Sequence, residues 1–383
     1  MQALHTHYRR LRFGPPGSTD ARGRRLDRSW WWHTDPVYRG LRAFGETVSV
    51  HPRKVRQLFQ VPLFAAQFRV DPQAYYQYRL YDRWARRRDY VFHDEIVVLL
   101  NALNARLSPQ DTAELSDKRL FHDRCVSARL PAIPIIAAFE RGARCGEMPA
   151  DPRRDLFAKF ANRYCGEGAS SWRYRDGAYT SGGATEDFRG LMTRLARTSI
   201  EYPVIVQPRI DNHEALVPIS GRGLSTARVI TLRWPGGEPQ VVLASYRMPV
   251  GNLVADNFAA GGLACGIDLE TGALQPARRK TDDTKLRAHP DTGAPIEGCV
   301  LPHWPDVLDL AEAAHECFGS MVSVGWDIAI TPQGPVLVEG NPVWCVDLAQ
   351  MSNDRPLADT PIPACLIAHL EACSRGSVPP GAA

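Results

Sequence analysis

The stretch Val324-Gly325-Trp326-Asp327-Ile328-Ala329-Ile330-Thr331-Pro332-Gln333-Gly334-Pro335-Val336-Leu337-Val338-Glu339-Gly340-Asn341-Pro342 reads as two largely apolar strands around a proline-to-glycine turn. Taken as a three-residue loop, Pro332-Gln333-Gly334 puts proline where a type I turn wants a fixed φ and glycine where the next residue turns left-handed. That loop sets a register in which Thr331 faces Pro335, Ala329 faces Leu337 and Asp327 faces Glu339. The two acidic Cβ atoms then lie about 4.5 to 5.5 Å apart on one face, and Asn341 shares it. Acids set opposite one another repel, and in an apolar hairpin a hard divalent cation between them relieves the repulsion. Carboxylate and amide oxygens suit Mg²⁺ at about 2.0 to 2.1 Å, with positions left for water and phosphate. The alternative is a surface hairpin with solvated acids, and a one-residue slip would turn Asp327 to the other face.

A second hairpin precedes it. Residues 227–234 and 240–247 flank the turn Pro235-Gly236-Gly237-Glu238-Pro239, which brings Arg228 opposite or nearly opposite Arg247. Like charges so placed cost a few tenths to about 1 kcal/mol, which points to an anion between them; arginine forks match phosphate oxygens. Separate surface ion pairs are the alternative. Downstream, Asp256-Asn257-Phe258-Ala259-Ala260-Gly261-Gly262 offers an amide and glycine N–H groups that can approach a phosphate. Upstream, Lys159 sits alone in the apolar strand Leu156–Phe160, ahead of a loop carrying Gly166, Gly168 and serines, read as a flexible lid. It is not a Walker A loop, because no Gly-Lys-Ser/Thr leads into a helix. Lys118 has polar neighbours and reads by itself as solvated.

The rest of the 383 residues supplies context. With 44% hydrophobic and 23% charged residues, core burial is not limiting and a disordered or fibrous chain is excluded. A formal charge of +4 is too mild to argue for nucleic acid. No apolar run approaches the ~20 residues that cross a bilayer, and the N-terminus lacks a secretory h-region. Nine scattered cysteines with no Cys-x-x-Cys suit a reducing cytoplasm, and neither a disulfide framework nor a zinc site. Cytoplasmic localisation is therefore expected.

Residues 1–117 read as a basic, mainly helical region, with apolar residues at helical spacing and few turn signals over 74–107. The arginines between Arg9 and Arg28 suit a solvated arm, or contact with an anionic surface, and residues 1–28 are the expected disordered stretch. Trp30-Trp31-Trp32 is expected to be buried aromatic packing, with a partner or substrate platform as the alternative. Beyond residue 118, strands are expected at 156–160, 204–210, 227–234, 240–248, 324–331 and 335–340, and helices at 186–198, 307–318 and 362–374, with Ser377 onward frayed. This is an α+β body.

In this order, Asp117-Lys118, a lysine strand with a glycine lid, a hinge strand, and an acid followed by Glu-x-Asn, the chain resembles the ATP-grasp superfamily. More narrowly, Val206-Gln207-Pro208-Arg209, Asn212-His213, Thr226-Ala227-Arg228, Asp256-Asn257-Phe258, His289-Pro290-Asp291-Thr292-Gly293 and Val324-Gly325-Trp326-Asp327 resemble the sugar-transfer-associated ATP-grasp family, related to α-L-glutamate ligases, over about residues 90–350.

The resemblance implies an ATP-grasp fold of two α+β subdomains holding ATP between them: a lid subdomain at 118–205 and a metal-binding subdomain at 206–350, with a C-terminal helix and tail at 351–383. It implies that Lys118 and Lys159 contact ATP phosphates, that Gly166 and Gly168 form the lid, and that Gln207 and Arg209 line the adenine hinge. Asp327, Glu339 and Asn341 would bind two Mg²⁺ ions, and Arg228, Arg247 and Asn257 would face the transferred phosphoryl group. The hinge lacks the usual acid, leaving Asp211 or Glu214 for the ribose. The implied activity is an ADP-forming carboxylate–amine ligase working through an acyl phosphate on a small-molecule carboxylate and amine, in the modification of a sugar, polysaccharide or peptide-type metabolite. A kinase acting on a hydroxyl shares the same phosphoryl-transfer half, and a nucleotide-binding module without turnover is the third reading. His213, His289 and His303 are candidates to assist proton transfer, though loop histidines beside proline more often serve as structural hydrogen-bonders.

Overall fold

The computed structural model of the chain describes residues 1–13, 54–68, 73–163, 167–221, 223–251, 253, 256–280 and 284–375. Arg22 to Arg28, the tryptophans at 30–32, Gly166 and the closing segment from Ser377 lie outside the described residues. Along the chain, α1 (Gln2–Phe13) and α2 (Lys54–Phe68) are followed by short helices at Gln73–Gln77 and Leu80–Arg83, then by α3 (His93–Leu107), α4 (Pro109–Ser116) and α5 (Lys118–Ser127). Next come β1 (Ala137–Glu140), β2 (Ala143–Cys145), β3 (Leu156–Phe160), β4 (Ser170–Arg175), β5 (Ala178–Ser181), β6 (Ala184–Glu186), α6 (Phe188–Thr198) and β7 (Val204–Pro208). The second half holds β8 (Thr226–Arg233), β9 (Pro239–Met248), β10 (Leu263–Gly266), α7 (Trp304–Cys317), β11 (Ser323–Thr331), β12 (Gly334–Asn341), α8 (Val346–Ser352) and α9 (Ile362–Arg375).

Local chemistry explains several boundaries. Asp117 caps α5 by accepting the Arg119 N–H, and Asp187 caps α6 by accepting that of Gly190. Pro305 lies in the first turn of α7, as its missing N–H allows. The stretch 74–107 is mostly helical, as expected, but in separate pieces; Arg79, at φ 55°, marks one division that no glycine or proline announces. Strands β4 to β6 were not expected; their serine-, arginine- and alanine-rich sequences carry few β-branched residues, and Ser170 and Ser171 leave the expected lid loop to join β4. Within the expected disordered stretch, α1 is helical, with Leu4 and Tyr8 fully buried.

The strands form two sheets, β2-β1-β7-β3-β4-β5-β6 and β10-β9-β8-β11-β12. Strand β7 pairs with both β1 and β3, so a division at 205/206 falls inside a strand, and we propose the end of β7 as the boundary. Alternation along the second sheet sorts its side chains into two sets. Ala227, Val229, Tyr246, Trp326, Ile328 and Leu337 pack with α7 and α5 on one face. Ile230, Leu232 and Leu243 pack with α1, α3 and α9 on the other. Helices α1 and α3 thus form a layer against this face of the sheet. Those helices cover only part of their face. Arg228, Arg247, Asp327 and Glu339, in phase with that face, line the cleft at its uncovered end.

Candidate active site

A cleft of about 980 Å³ lies between the two sheets. Lys118, Lys159, Gln207, Arg209, Arg228, Arg247, Asn257, Asp327, Glu339 and Asn341 all line it. Gly168 does not; it takes φ +70°, and a Cβ there would collide with the Phe160 ring. Asp211 and Glu214 are exposed and off the cleft wall. His289 is buried and faces the Pro249 carbonyl at 3.0 Å, away from the cleft.

The β11–β12 hairpin pairs Asp327 with Glu339, but by a different route from the expected one. The turn is tighter: Thr331 faces Gly334, Ile330 faces Pro335 and Ala329 faces Val336, so the expected Thr331–Pro335 and Ala329–Leu337 pairs do not form. A bulge between Asp327 and Ile328 then absorbs one residue of β12 and restores the acidic pair. Gly334 has φ 114°, the positive value the turn requires. Between the acid and the amide of Glu339-Gly340-Asn341, a Cβ on Gly340 would strike Leu115 and Trp326 at 2.6 Å, so only glycine fits the underside of the site.

The second hairpin also corrects an expectation. Arg247 faces Thr226 and Arg228 faces Ser245, which offsets the arginines by two residues. The anion between them is Asp327 itself. Arg228 donates from Nε at 2.5 Å and Nη2 at 3.0 Å, and Arg247 Nη2 lies 2.9 Å from Asp327 Oδ2. Burial pushes the Asp327 carboxyl up, and the two arginines outweigh it, holding it well below the usual carboxylate range. The repulsion from Glu339 is therefore answered first by guanidinium groups. Arg247 is anchored from behind: Thr226 Oγ1 accepts from its Nη2 at 2.6 Å and donates to Asp256 at 2.5 Å. Thr226 and Asp256 were not singled out as site residues, although the period-two spacing of Thr226 and Arg228 put both on one face.

Lys118, whose neighbours by themselves read as solvated and which the resemblance sets against the phosphates, is buried on the cleft wall. Its Nζ donates to the Arg163 carbonyl at 2.7 Å and lies 3.8 Å from Glu339 Oε2. Burial lowers Lys159 to about 8, opposed by Glu339 and reinforced by Lys118. Gln207 uses its amide N–H on the Ile133 carbonyl at 3.1 Å, and Arg209 lies 3.5 Å from Asp155. Asn257 caps a short turn by accepting the Ala259 N–H at 2.9 Å. Asn341 donates its amide N–H to the Gly325 carbonyl at 3.1 Å, which leaves its oxygen as a donor to a cation. Two carboxylates and one amide oxygen on one sheet face, with lysines across the cleft, fit a hard cation carrying phosphates.

Two α+β bodies with a cation-lined cleft between their sheets have the ATP-grasp fold. The chain belongs to the sugar-transfer associated ATP-grasp family, whose model matches residues 107–361. Solved structures similar to it include an L-amino acid ligase from Bacillus licheniformis, at 14% identity over 63% of this chain and 43% of that one, with a TM-score of 0.34. A D-alanine–D-alanine ligase from Bacillus anthracis matches at 11% identity over 70% and 68%, with a TM-score of 0.37. N5-carboxyaminoimidazole ribonucleotide synthetase matches at 12% identity over 69% and 57%, with a TM-score of 0.40. The chain spans less than half the length of the first of these. No curated protein matches the sequence. Among the described residues, no helix is long and apolar enough to cross a membrane.

Proposed function

We propose that the protein is an ATP-dependent, ADP-forming carboxylate–amine ligase. The observation that carries this reading is the pairing of Asp327 with Glu339 on the cleft face, opposite Lys118 and Lys159 and beside Arg228 and Arg247. Lys118 and Lys159 bind the nucleotide phosphates, and Gln207 and Arg209 line the base, with Gly168 in the loop above. Two Mg²⁺ ions held by Asp327, Glu339 and Asn341 would neutralise charge on the phosphates. Arg228 uses Nε and Nη2 on Asp327, and a guanidinium has five N–H groups, so its Nη1 is left for the transferred phosphoryl group. Arg247 and Asn257 complete that wall.

In this scheme a substrate carboxylate oxygen attacks the γ-phosphorus in line, and the bond to the β,γ-bridging oxygen breaks, giving ADP and an acyl phosphate. An amine then adds to the acyl carbon, loses a proton and expels phosphate, leaving an amide. Closure of the cleft keeps water from the acyl phosphate. The chain itself supplies no covalent nucleophile in this scheme. The test is a screen of carboxylates and amines for ADP release, followed by mass analysis of products. Phosphate release that needs both partners supports ligation; a stable phosphorylated acceptor identifies a kinase instead.

A further inference from the structure

The cleft has a second cluster of chemically active side chains, built from other elements than the acid hairpin. His93 opens α3, while Cys345 and Asp347 sit at the start of α8, four and six residues beyond Asn341. A ring nitrogen of His93, the Cys345 sulfur and a carboxylate oxygen of Asp347 all lie within 4.8 Å of one another. His93 and Cys345 line the cleft, and Asp347 is buried behind them. We propose that these three residues form a site for a thiophilic divalent cation of the zinc class, distinct from the oxygen-only set at Asp327, Glu339 and Asn341.

The donor types decide the class of ion. A sulfur, an imidazole and one carboxylate suit zinc, whereas magnesium takes oxygen ligands and keeps its waters. Bond lengths of about 2.0 to 2.3 Å in a tetrahedron put ligand atoms roughly 3.3 to 3.7 Å apart, so a spread of 4.8 Å closes with a shift of about 1 Å. His93 is exposed and has room for that movement. The outer contacts are also those of a ligand set. Tyr78 donates its hydroxyl to Asp347 Oδ1 at 2.5 Å, orienting the carboxylate and leaving Oδ2 for the ion. Lys280 Nζ, also on the cleft wall, lies 3.5 Å from Oδ2, so an ion bound at this oxygen would share it with the ammonium group or displace it. Cysteine spacing in the sequence argues against a Cys-x-x-Cys zinc site, but it does not register ligands brought together from α3 and α8.

The site stands independently of the ligase reading and is tested without substrate. Full-length protein stripped with a chelator is titrated with Co²⁺ and followed by absorption. The expected result is a sulfur-to-metal charge-transfer band that saturates at one equivalent, disappears when Zn²⁺ is added, and is absent in Cys345→Ser. His93→Ala, a change at an exposed position, should weaken Co²⁺ binding at least tenfold with the circular dichroism unchanged, and serves as the control should Cys345→Ser fail to fold. No band in folded wild type, a band surviving in Cys345→Ser, or undiminished Co²⁺ affinity in His93→Ala would overturn the proposal.

Discussion

Asp327 is clasped by two arginines from adjacent strands of one hairpin: Arg228 at 2.5 and 3.0 Å, and Arg247 at 2.9 Å. All three side chains are buried or nearly so. Removing one member of such a set leaves charges without partners in the interior. Asp327→Ala is expected to destabilise the fold by about 3 to 5 kcal/mol, read as a lowered midpoint in urea unfolding. An unchanged midpoint would mean that the arginines find other partners at no cost.

Thr226 positions Arg247 and ties it to Asp256. Thr226→Val keeps the shape and removes the hydroxyl, with an expected loss of about 1 to 3 kcal/mol. ADP release should fall in the same variant and be restored by Thr226→Ser. Equal effects of valine and serine would show that the hydroxyl is not what matters.

Lys159 gives the cleft a pH dependence. Burial lowers it to about 8, so it is charged below that value and neutral above it. ATP affinity should be constant at lower pH and fall as pH rises through about 8, by at most about tenfold per unit for one proton. Lys159→Arg, whose charge is fixed, should flatten the profile. Calorimetric titration at a series of pH values reads both curves, and an equally sloping profile in the arginine variant would contradict the assignment.

The acid pair was legible in the sequence because both its strands and its turn have strong local signals, and Asp327 does face Glu339. The turn pairs were not legible. A bulge at Asp327/Ile328 depends on how the strand packs, not on any residue type that marks it. The same holds for the ion cluster: Arg228 and Asp327 are 99 residues apart, and only the β8–β11 pairing shows that one answers the other. Lys118 illustrates the converse. Its polar neighbours suggested solvent, but the helix start at Asp117 directs it inward to Arg163 and Glu339.

His315 sits in the core with Nδ1 2.7 Å from Thr231 Oγ1 and Nε2 2.9 Å from the Met321 carbonyl. Burial lowers its pKa from 6.5 to about 4. Because the folded value lies below the unfolded one, the stability tied to neutral His315 is complete above about pH 6.5 and is lost as pH falls towards about 4, up to roughly 3 kcal/mol. Urea midpoints measured across that window should fall in wild type and fall less in His315→Gln. Parallel curves would place the titration elsewhere.

Gly168 holds a left-handed backbone against the Phe160 ring. Gly168→Ala adds strain and a methyl group that collides with that ring, so the loop above the cleft must move. The expected outcome is weaker ATP binding with urea stability lowered by no more than about 1 to 3 kcal/mol. Unchanged ATP affinity would separate this loop from nucleotide binding.

The most direct measurement is calorimetric titration of ATP into wild type and Glu339→Gln, with Mg²⁺ and again with chelator. Glu339 is only partly buried and sits opposite Asp327, so the amide keeps the shape of the site while removing one charge from the cation set. Binding should be tight only with Mg²⁺ in wild type, and weaker by at least about tenfold in the variant, a change of about 1.4 kcal/mol. ATP binding of equal strength in both proteins, or in wild type with and without Mg²⁺, would contradict the assignment of this cleft to a metal–nucleotide complex.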